Sequence, residues 1–310
     1  MFSALNPSAF VRAQSLRRDW STLTNGFLLI NTACAANWHG TPLSPRPQVS
    51  IVTPSYNQGD FVEETILSVV QQRSSVDVEY LLFDAQSTDA TADVLLKHAG
   101  DIDHLHVGPD AGQADALAQG FAQARGEILA YLNSDDTLLP GALAWVVEYF
   151  RTHPEVDAIY SHRVFTDAEG KPTRFWMLPP HSDYLMCRWD YIPQETCFWR
   201  RSLMDRFGVI DPTFQFAMDY EFFARVMPNA KFVRVNKFLA NFREHADSKT
   251  TLLNESLGQQ EVRRVQQMHG IKISRLDQQV ARLFSLSINW ASRLMRPWLL
   301  RGQRYLKRAP

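Results

Sequence analysis

One stretch limits what this chain can fold into more than any other, Glu127 to Thr137, EILAYLNSDDT. Ile128 to Leu132 form a near-continuous apolar run, the pattern of a strand covered on both faces of a parallel sheet. The run stops at Asn133, Ser134, Asp135 and Asp136. Polar residues at the carboxyl end of a central strand stand where open α/β sheets take ligands, and adjacent carboxylates there can hold a hard divalent cation with its phosphates. The same residues also fit a helix start, with Asp136 or Thr137 as the cap and Pro140 in the first turn. The rest of the chain has to decide between these two readings.

Upstream, strands and helices alternate. Val49–Thr53 reads as a strand ended by Pro54, and Asp60 with Glu63 reads as a capping box opening a helix that carries Phe61, Ile66, Val69 and Val70. Val78–Phe83 is a second strand ending in Asp84, followed by a short helix introduced by Ser87, Thr88 and Asp89. Ile102–Val107 is a third strand. After the turn GPDAG, a helix spans about Gln113 to Arg125 and leads into the central strand, with a further helix over Gly141–Phe150. This order predicts an α/β fold, a doubly wound and mostly parallel sheet. Its strand ends, Tyr56 and Asn57, Asp84, Asp110, and Asp135 with Asp136, should converge along one edge. Beyond Pro154 the pattern changes: VDAIYSHRVFTD and KPTRFWML read as an antiparallel hairpin turning at Glu169-Gly170. Residues 1–47 read as an N-terminal extension, 48–250 as the main domain and 251–310 as a helical, basic tail.

The net charge of -1 gives no global reason to expect nucleic acid. Three cysteines, Cys34, Cys187 and Cys197, are too scattered for a disulfide framework or a four-ligand zinc site, which points to a reducing, cytoplasmic setting. The apolar run Gly26–Trp38 is too short and too interrupted to span a bilayer, and no signal peptide is read. The tail differs from the rest. From Gln278 onward it has no acidic residue. A helix from Arg282 to Arg296, interrupted by Pro297, would align Leu283, Leu286, Trp290 and Leu294 beside Arg282, Arg293 and Arg296. Trp298, Leu299, Leu300, Tyr305, Arg301, Arg304, Lys307 and Arg308 follow. This combination suits an anionic membrane surface, the inner face of the plasma membrane; the alternative is a stripe docked on the main domain or on a second subunit in a homo-oligomer.

Taken together, SIVTPSYNQGDFVEETILSVVQQ, FDAQSTDAT, GPDAGQADALAQGFAQARGEILAYLNSDD, QETCFWRR and AMDYEF resemble the inverting family 2 glycosyltransferases of GT-A fold, of the bacterial polysaccharide and lipopolysaccharide type. The resemblance runs from about Gln48 to His245. It implies a GT-A, Rossmann-like domain with an antiparallel acceptor-side extension. The substrates it implies are a nucleoside-diphosphate sugar donor and a saccharide or lipid-linked acceptor, with Mn²⁺ or Mg²⁺ as cofactor. By the same resemblance, Thr53, Pro54, Ser55 and Tyr56 match the loop lining the nucleotide base, and Asp84 the acid that hydrogen-bonds it. Asp115 matches an acid near sugar and ribose. Ser134, Asp135 and Asp136 match the DxD-like element, with Asp135 facing the donor and Asp136 holding the metal. Asp219 matches the base on the acceptor, and His245 a histidine near the diphosphate and metal.

The chemistry explains the inventory. Leaving phosphates need neutralising, which a carboxylate-held cation does electrostatically. One carboxylate in reach of the acceptor hydroxyl suffices, because an inverting displacement forms no covalent intermediate. Departures from the family pattern are Gln86, where glycine is common, and Ala111 and Ala118 around the third-strand turn, which leave the donor open. Met218 replaces a second acid and leaves Glu221 as the fallback base. Trp176, Trp189 and Trp199 either wall the acceptor site by stacking or belong to the core. His162 and His181 read as structural. Two other classes compete. A nucleotidyltransferase would bring a glycine-rich basic loop that TPSYNQG lacks. A non-catalytic protein keeping only the fold has no use for Asp84, Asp135, Asp136 and Asp219.

Overall fold

The computed structural model describes residues 30–31, 46–246, 248–249 and 257–306. Its centre is a ten-stranded mixed sheet. Four strands run parallel: β2 (Val49–Ser55), β3 (Val78–Asp84), β4 (His104–Val107) and β5 (Ile128–Tyr131). Between them lie α1 (Val62–Val70), α2 (Thr91–Lys97) and α3 (Gln113–Gln123). The spatial order β4-β3-β2-β5 places the first of these four strands between the second and the fourth, so the winding reverses between β2 and β5. That reversal opens a crevice at the carboxyl ends of the two strands. A two-residue strand, β1 (Ile30–Asn31), pairs antiparallel with β4, so the N-terminal segment contributes to the sheet.

Side-chain alternation builds the core. Ile51, Tyr80, Leu82, Ile128 and Ala130 bury against α1 and α4 (Ala142–Thr152), while Val52, Leu81, Phe83, Leu129 and Tyr131 bury on the opposite face under α3. Both faces are covered, which is why β5 reads as one apolar run. Where α3 hands over to β5, Gly126 passes so close to β2 that a Cβ would meet the Ser50 nitrogen at 2.4 Å.

The second half adds β6 (Thr137–Leu138), β7 (Ala158–Thr166), β8 (Pro172–Trp176), β9 (Phe198–Arg200) and β10 (Phe232–Arg243). β7 and β8 form the expected hairpin, turning at Gly170 with φ +73°. β9 joins β5 to β7 by antiparallel pairing on both sides, and β10 runs parallel to β7. Helices α5 (Asp183–Met186), α6 (Arg201–Phe207), α7 (Met218–Val226), α8 (Gln259–Met268) and α9 (Arg275–Leu306) complete the chain.

Several local expectations are corrected. β2 continues through Pro54 to Ser55, because β5 pairs only as far as Val52↔Tyr131 and Pro54 therefore has no ladder bond to lose on that side. Asp60 and Glu63 do not form a capping box. The N-cap of α1 is Phe61 without a side-chain bond, the Gln58 carbonyl accepts from Phe61 and Val62, and Glu63 is engaged by Lys97 and His98. The helix after Asp84 starts at Thr91, whose N–H donates to Asp89 at 3.0 Å, while Ser87 turns back to Asp84. Gln86 keeps the left-handed conformation expected of glycine, at φ +57°. α9 runs through Pro297, which removes one N–H from the ladder and bends a helix without ending it.

One face of α9 packs on the domain: Ile288 is in the core, Phe284 lies edge-on to Trp189 at 4.6 Å, and the Ser292 hydroxyl accepts from the Met177 N–H at 3.1 Å. Its start is a capping pair, the Ser274 N–H and hydroxyl both donating to Asp277. The stripe expected to meet a membrane or a partner is a different face. Leu283, Leu286, Trp290 and Leu294 are more than half exposed, with Arg282 and Arg293 also exposed. The side chains of Arg296 and of the residues beyond it, and Cys34, lie outside the described residues. Among the described residues no helix is long and apolar enough to cross a membrane.

Candidate active site

A cavity of about 960 Å³ opens at the crevice between β2 and β5. Pro54, Ser55 and Tyr56 from the end of β2, Ser134 and Asp135 from the turn after β5, and Asp219, Arg163 and Trp176 from the second half of the chain line it. Tyr56 stands 59% exposed at the mouth. Six of the site residues expected from sequence therefore share one cavity: Pro54, Ser55, Tyr56, Ser134, Asp135 and Asp219.

The two adjacent carboxylates separate. A tight turn, with the Asp136 N–H donating to the Asn133 carbonyl at 3.1 Å, sends their side chains opposite ways. Asp135 faces the cavity, and its Oδ2 lies 3.0 Å from Nε2 of His245. His245 stands behind Asp135, off the cavity wall, its ring 4.5 Å from that of Phe61. Asp136 turns inward and is 1% exposed. Its Oδ1 accepts from the Arg243 N–H at 3.0 Å, its carbonyl accepts from the Thr65 hydroxyl at 2.7 Å, and its Oδ2 is buried without a partner. Burial pushes this carboxyl well above the usual carboxylate range, with Asp135 and Glu195 adding to the effect and the Arg243 N–H opposing it. Arg243 clamps the turn: its Nε donates to the Asp135 carbonyl at 2.9 Å and its guanidinium also reaches Glu64 and the Ala168 carbonyl.

Three other expected residues also lie off the cavity wall. Thr53 is fully buried, its hydroxyl 3.2 Å from that of Tyr80. Asp84 accepts from the Ser87 N–H at 2.8 Å and hydroxyl at 2.6 Å, so it shapes the loop beside the cavity; burial raises its carboxyl and these bonds oppose the rise. Asp115 accepts from the Ala111 N–H at 3.1 Å and from Gln119 at 3.0 Å, holding the turn before α3. Of the three tryptophans, Trp176 reaches the cavity, Trp199 is core and Trp189 packs on α9. His162 and His181 are structural: His162 accepts from the Leu178 N–H at 3.0 Å, and His181 meets the Tyr160 hydroxyl at 2.9 Å.

Asp219 stands in the first turn of α7 and faces the cavity. Burial raises its carboxyl above the usual range; the Tyr220 N–H and Arg163 pull it down and Glu195 pushes it up. Glu221 does not reach the cavity. It is 2% exposed and paired with Arg225 at 3.0 Å.

The sequence reading missed several residues. Arg163 makes a two-pronged pair with Glu195 at 2.8 and 2.7 Å, and both line the cavity. Asp190 lines it too. Its carboxyl is pushed well up by burial and by Asp219, against Arg163, and its Oδ1 is buried without a partner. Glu261, from α8, accepts from the N–H groups of Gln215, Phe216 and Ala217 at 2.8, 2.7 and 2.9 Å, fixing the segment that launches α7. Glu195 stands inside QETCFWRR and was open to assignment; nothing local marks Asp190 or Glu261.

Among the described residues no group of three His, Cys, Asp or Glu side chains converges on one point. One cavity-facing carboxylate backed by an imidazole fits a hard cation that completes its shell with phosphate oxygens and water.

Residues 50–211 match the model of glycosyl transferase family 2. The O-antigen biosynthesis protein RfbC of Myxococcus xanthus is 29% identical over 188 residues, 59% of this chain but 15% of that much longer protein. A PGL/p-HBAD biosynthesis glycosyltransferase of Mycobacterium bovis is 26% identical over 216 residues, 67% of this chain and 82% of that one. Among solved structures, S. aureus TarS 1-349 in complex with UDP-GlcNAc superposes with a TM-score of 0.57 at 17% identity, over 72% of this chain and 66% of that one. That likeness bears out the GT-A type of fold, a parallel-dominated sheet flanked by helices. With its family model matched over more than half its length, the chain belongs to glycosyl transferase family 2.

Proposed function

We propose that the protein transfers a sugar, with inversion, from a nucleoside diphosphate to a hydroxyl of a saccharide or lipid-linked acceptor in polysaccharide biosynthesis. The observation that carries this reading is one cavity lined by both Asp135, at the end of β5, and Asp219, in the first turn of α7; in this reading Asp135 is the phosphate-side acid and Asp219 the acceptor-side base. Tyr56, Pro54 and Ser55 receive the base of the nucleotide. Asp219 accepts the proton of the attacking hydroxyl, and its raised basicity suits it to that task. Asp135 would hold Mn²⁺ or Mg²⁺, with His245 orienting its carboxylate; Asp136, assigned to the metal from sequence, serves the turn instead. When bound, such an ion offsets the charge developing on the departing diphosphate. TarS 1-349 was solved in complex with UDP-GlcNAc, which supports a nucleotide-sugar donor here. Incubation with a panel of nucleotide sugars and Mn²⁺ should release nucleoside diphosphate on addition of an acceptor extract. No release from any donor would sink the reading.

We also propose that the exposed stripe on α9 rests on an anionic membrane surface, which would place the enzyme beside a lipid-linked acceptor.

A further inference from the structure

Lys249 also lines the cavity, on the segment that follows β10 and His245. The segment turns back on itself there, the Ser248 N–H donating to the His245 carbonyl at 3.2 Å, which carries Lys249 toward the loop of Asp135. Its ammonium donates to Oε1 of Gln113 at 2.8 Å. That acceptor is fixed by a chain of amides. Nε2 of Gln113 donates to Oδ1 of Asn133 at 2.7 Å, Nδ2 of Asn133 to Oε1 of Gln194 at 3.4 Å, and Nε2 of Gln194 to the Tyr131 carbonyl at 2.7 Å. A backbone carbonyl can only accept, so it sets the direction of every amide in the chain and leaves the oxygen of Gln113 facing Lys249.

Among the described residues this arrangement holds an ammonium in place without neutralising it. Gln113 is uncharged and uses one of three N–H donors. Among the described residues no carboxylate comes within ion-pairing distance of the Lys249 ammonium; Glu261, Asp219 and Asp110 act on it only through the longer-range field. Burial lowers its affinity for the proton. A half-buried cation that among the described residues spends one donor on an uncharged amide, turned into a cavity and tethered through Gln113 to the loop that carries Asp135, is completed by an anion.

We propose that Lys249 is a second, metal-independent contact to the diphosphate of the donor, bonding its oxygens beside Asp135 and stabilising it as it leaves. This rests on the reading of the cavity as a nucleotide-sugar site. A charge-assisted bond of this kind corresponds to about 10–100-fold in affinity.

The test is calorimetry on the full chain with UDP, GDP and TDP and with the matching nucleosides, each with Mn²⁺ and with EDTA. Lys249→Met should weaken diphosphate binding about 10–100-fold in both conditions and leave nucleoside binding unchanged, while Lys249→Arg keeps most of the diphosphate affinity. If Lys249→Met binds the diphosphate as the wild type does, or loses nucleoside in equal measure, the lysine has no phosphate role and the transferase reading still stands. If the wild type binds none of the three diphosphates, that reading falls and takes the lysine with it.

Discussion

Oδ2 of Asp135 and Nε2 of His245 lie 3.0 Å apart although 110 positions separate them in the chain. The contact ties the end of β5 to the segment after β10 and gives the two adjacent acids different work. Asp135→Asn should remove most of the Mn²⁺-dependent gain in nucleoside diphosphate affinity, because it deletes the cavity-facing charge. His245→Ala should reduce that gain by about 10–100-fold, as loss of an orienting partner does. Asp136→Asn should keep the gain: its Oδ1 still accepts from Arg243, and burial already favours the neutral carboxyl that the amide imitates. Calorimetry with and without chelator separates the three. A gain lost in Asp136→Asn and kept in Asp135→Asn would restore the assignment made from sequence.

Asp219→Asn should lower turnover about 10²–10⁴-fold while nucleotide binding survives, the signature of a lost general base. Glu221→Gln should act on melting temperature instead, since Glu221 is buried against Arg225. Turnover lost in Glu221→Gln with Asp219→Asn still active would reverse the assignment.

The pH profile follows from the same residue. Asp219 accepts a proton only when ionised, and burial holds its folded pKa above the ordinary value of about 4. Activity is therefore full well above the raised pKa and falls as pH drops through it. The acid limb of kcat/KM should sit clearly above pH 4 and vanish in Asp219→Asn assayed at its residual rate. A limb at or below about pH 4 would mean that the base is a solvated carboxylate elsewhere.

Glu261 supplies a prediction that sequence could not. Glu261→Ala strands three N–H groups ahead of α7, those of Gln215, Phe216 and Ala217, the last of them buried. The loss should be about 2–4 kcal/mol, read as a drop in denaturation midpoint, with turnover falling because Asp219 loses its fixed approach. An unchanged midpoint would show that the segment holds itself.

What was legible follows the range of the interactions. The parallel half of the sheet announced itself through apolar runs ended by polar residues, because two covered faces and a ligand-binding edge each leave a mark within a few positions. Which of Asp135 and Asp136 faces the cavity did not, since the choice is made by Arg243 and Thr65, 107 and 71 positions away. The insertion of β9 between β5 and β7 was equally hidden, as were Lys249, joined to Gln113 across 136 positions, and Asp190. Gln86 shows the reverse case: it stands where glycine is common in the family, and its backbone takes the left-handed conformation all the same, at φ +57°.

α9 carries an exposed apolar stripe apart from its docked face. At about 100° per residue, Leu276, Leu283, Leu286, Trp290 and Leu294 fall within about 80° of arc, while Arg282 and Arg293 gather on one flank. All five apolar side chains are more than half exposed, whereas the face holding Phe284, Ile288 and Ser292 is the one docked on the domain. The domain has thus used one face of the helix and left the other uncovered. Apolar side chains beside exposed arginines suit the headgroup boundary of an anionic bilayer, where each basic group adds about 1 kcal/mol. The full chain should float with phosphatidylserine-containing vesicles at low salt, release as salt rises, and ignore purely zwitterionic vesicles. The double change Leu283→Asn with Trp290→Asn should abolish flotation without lowering the melting temperature, since neither side chain is in the core. If the wild type stays in the soluble fraction at low salt and sediments as a dimer that the double change splits, the stripe is a subunit interface and the case for a membrane-held acceptor goes with it.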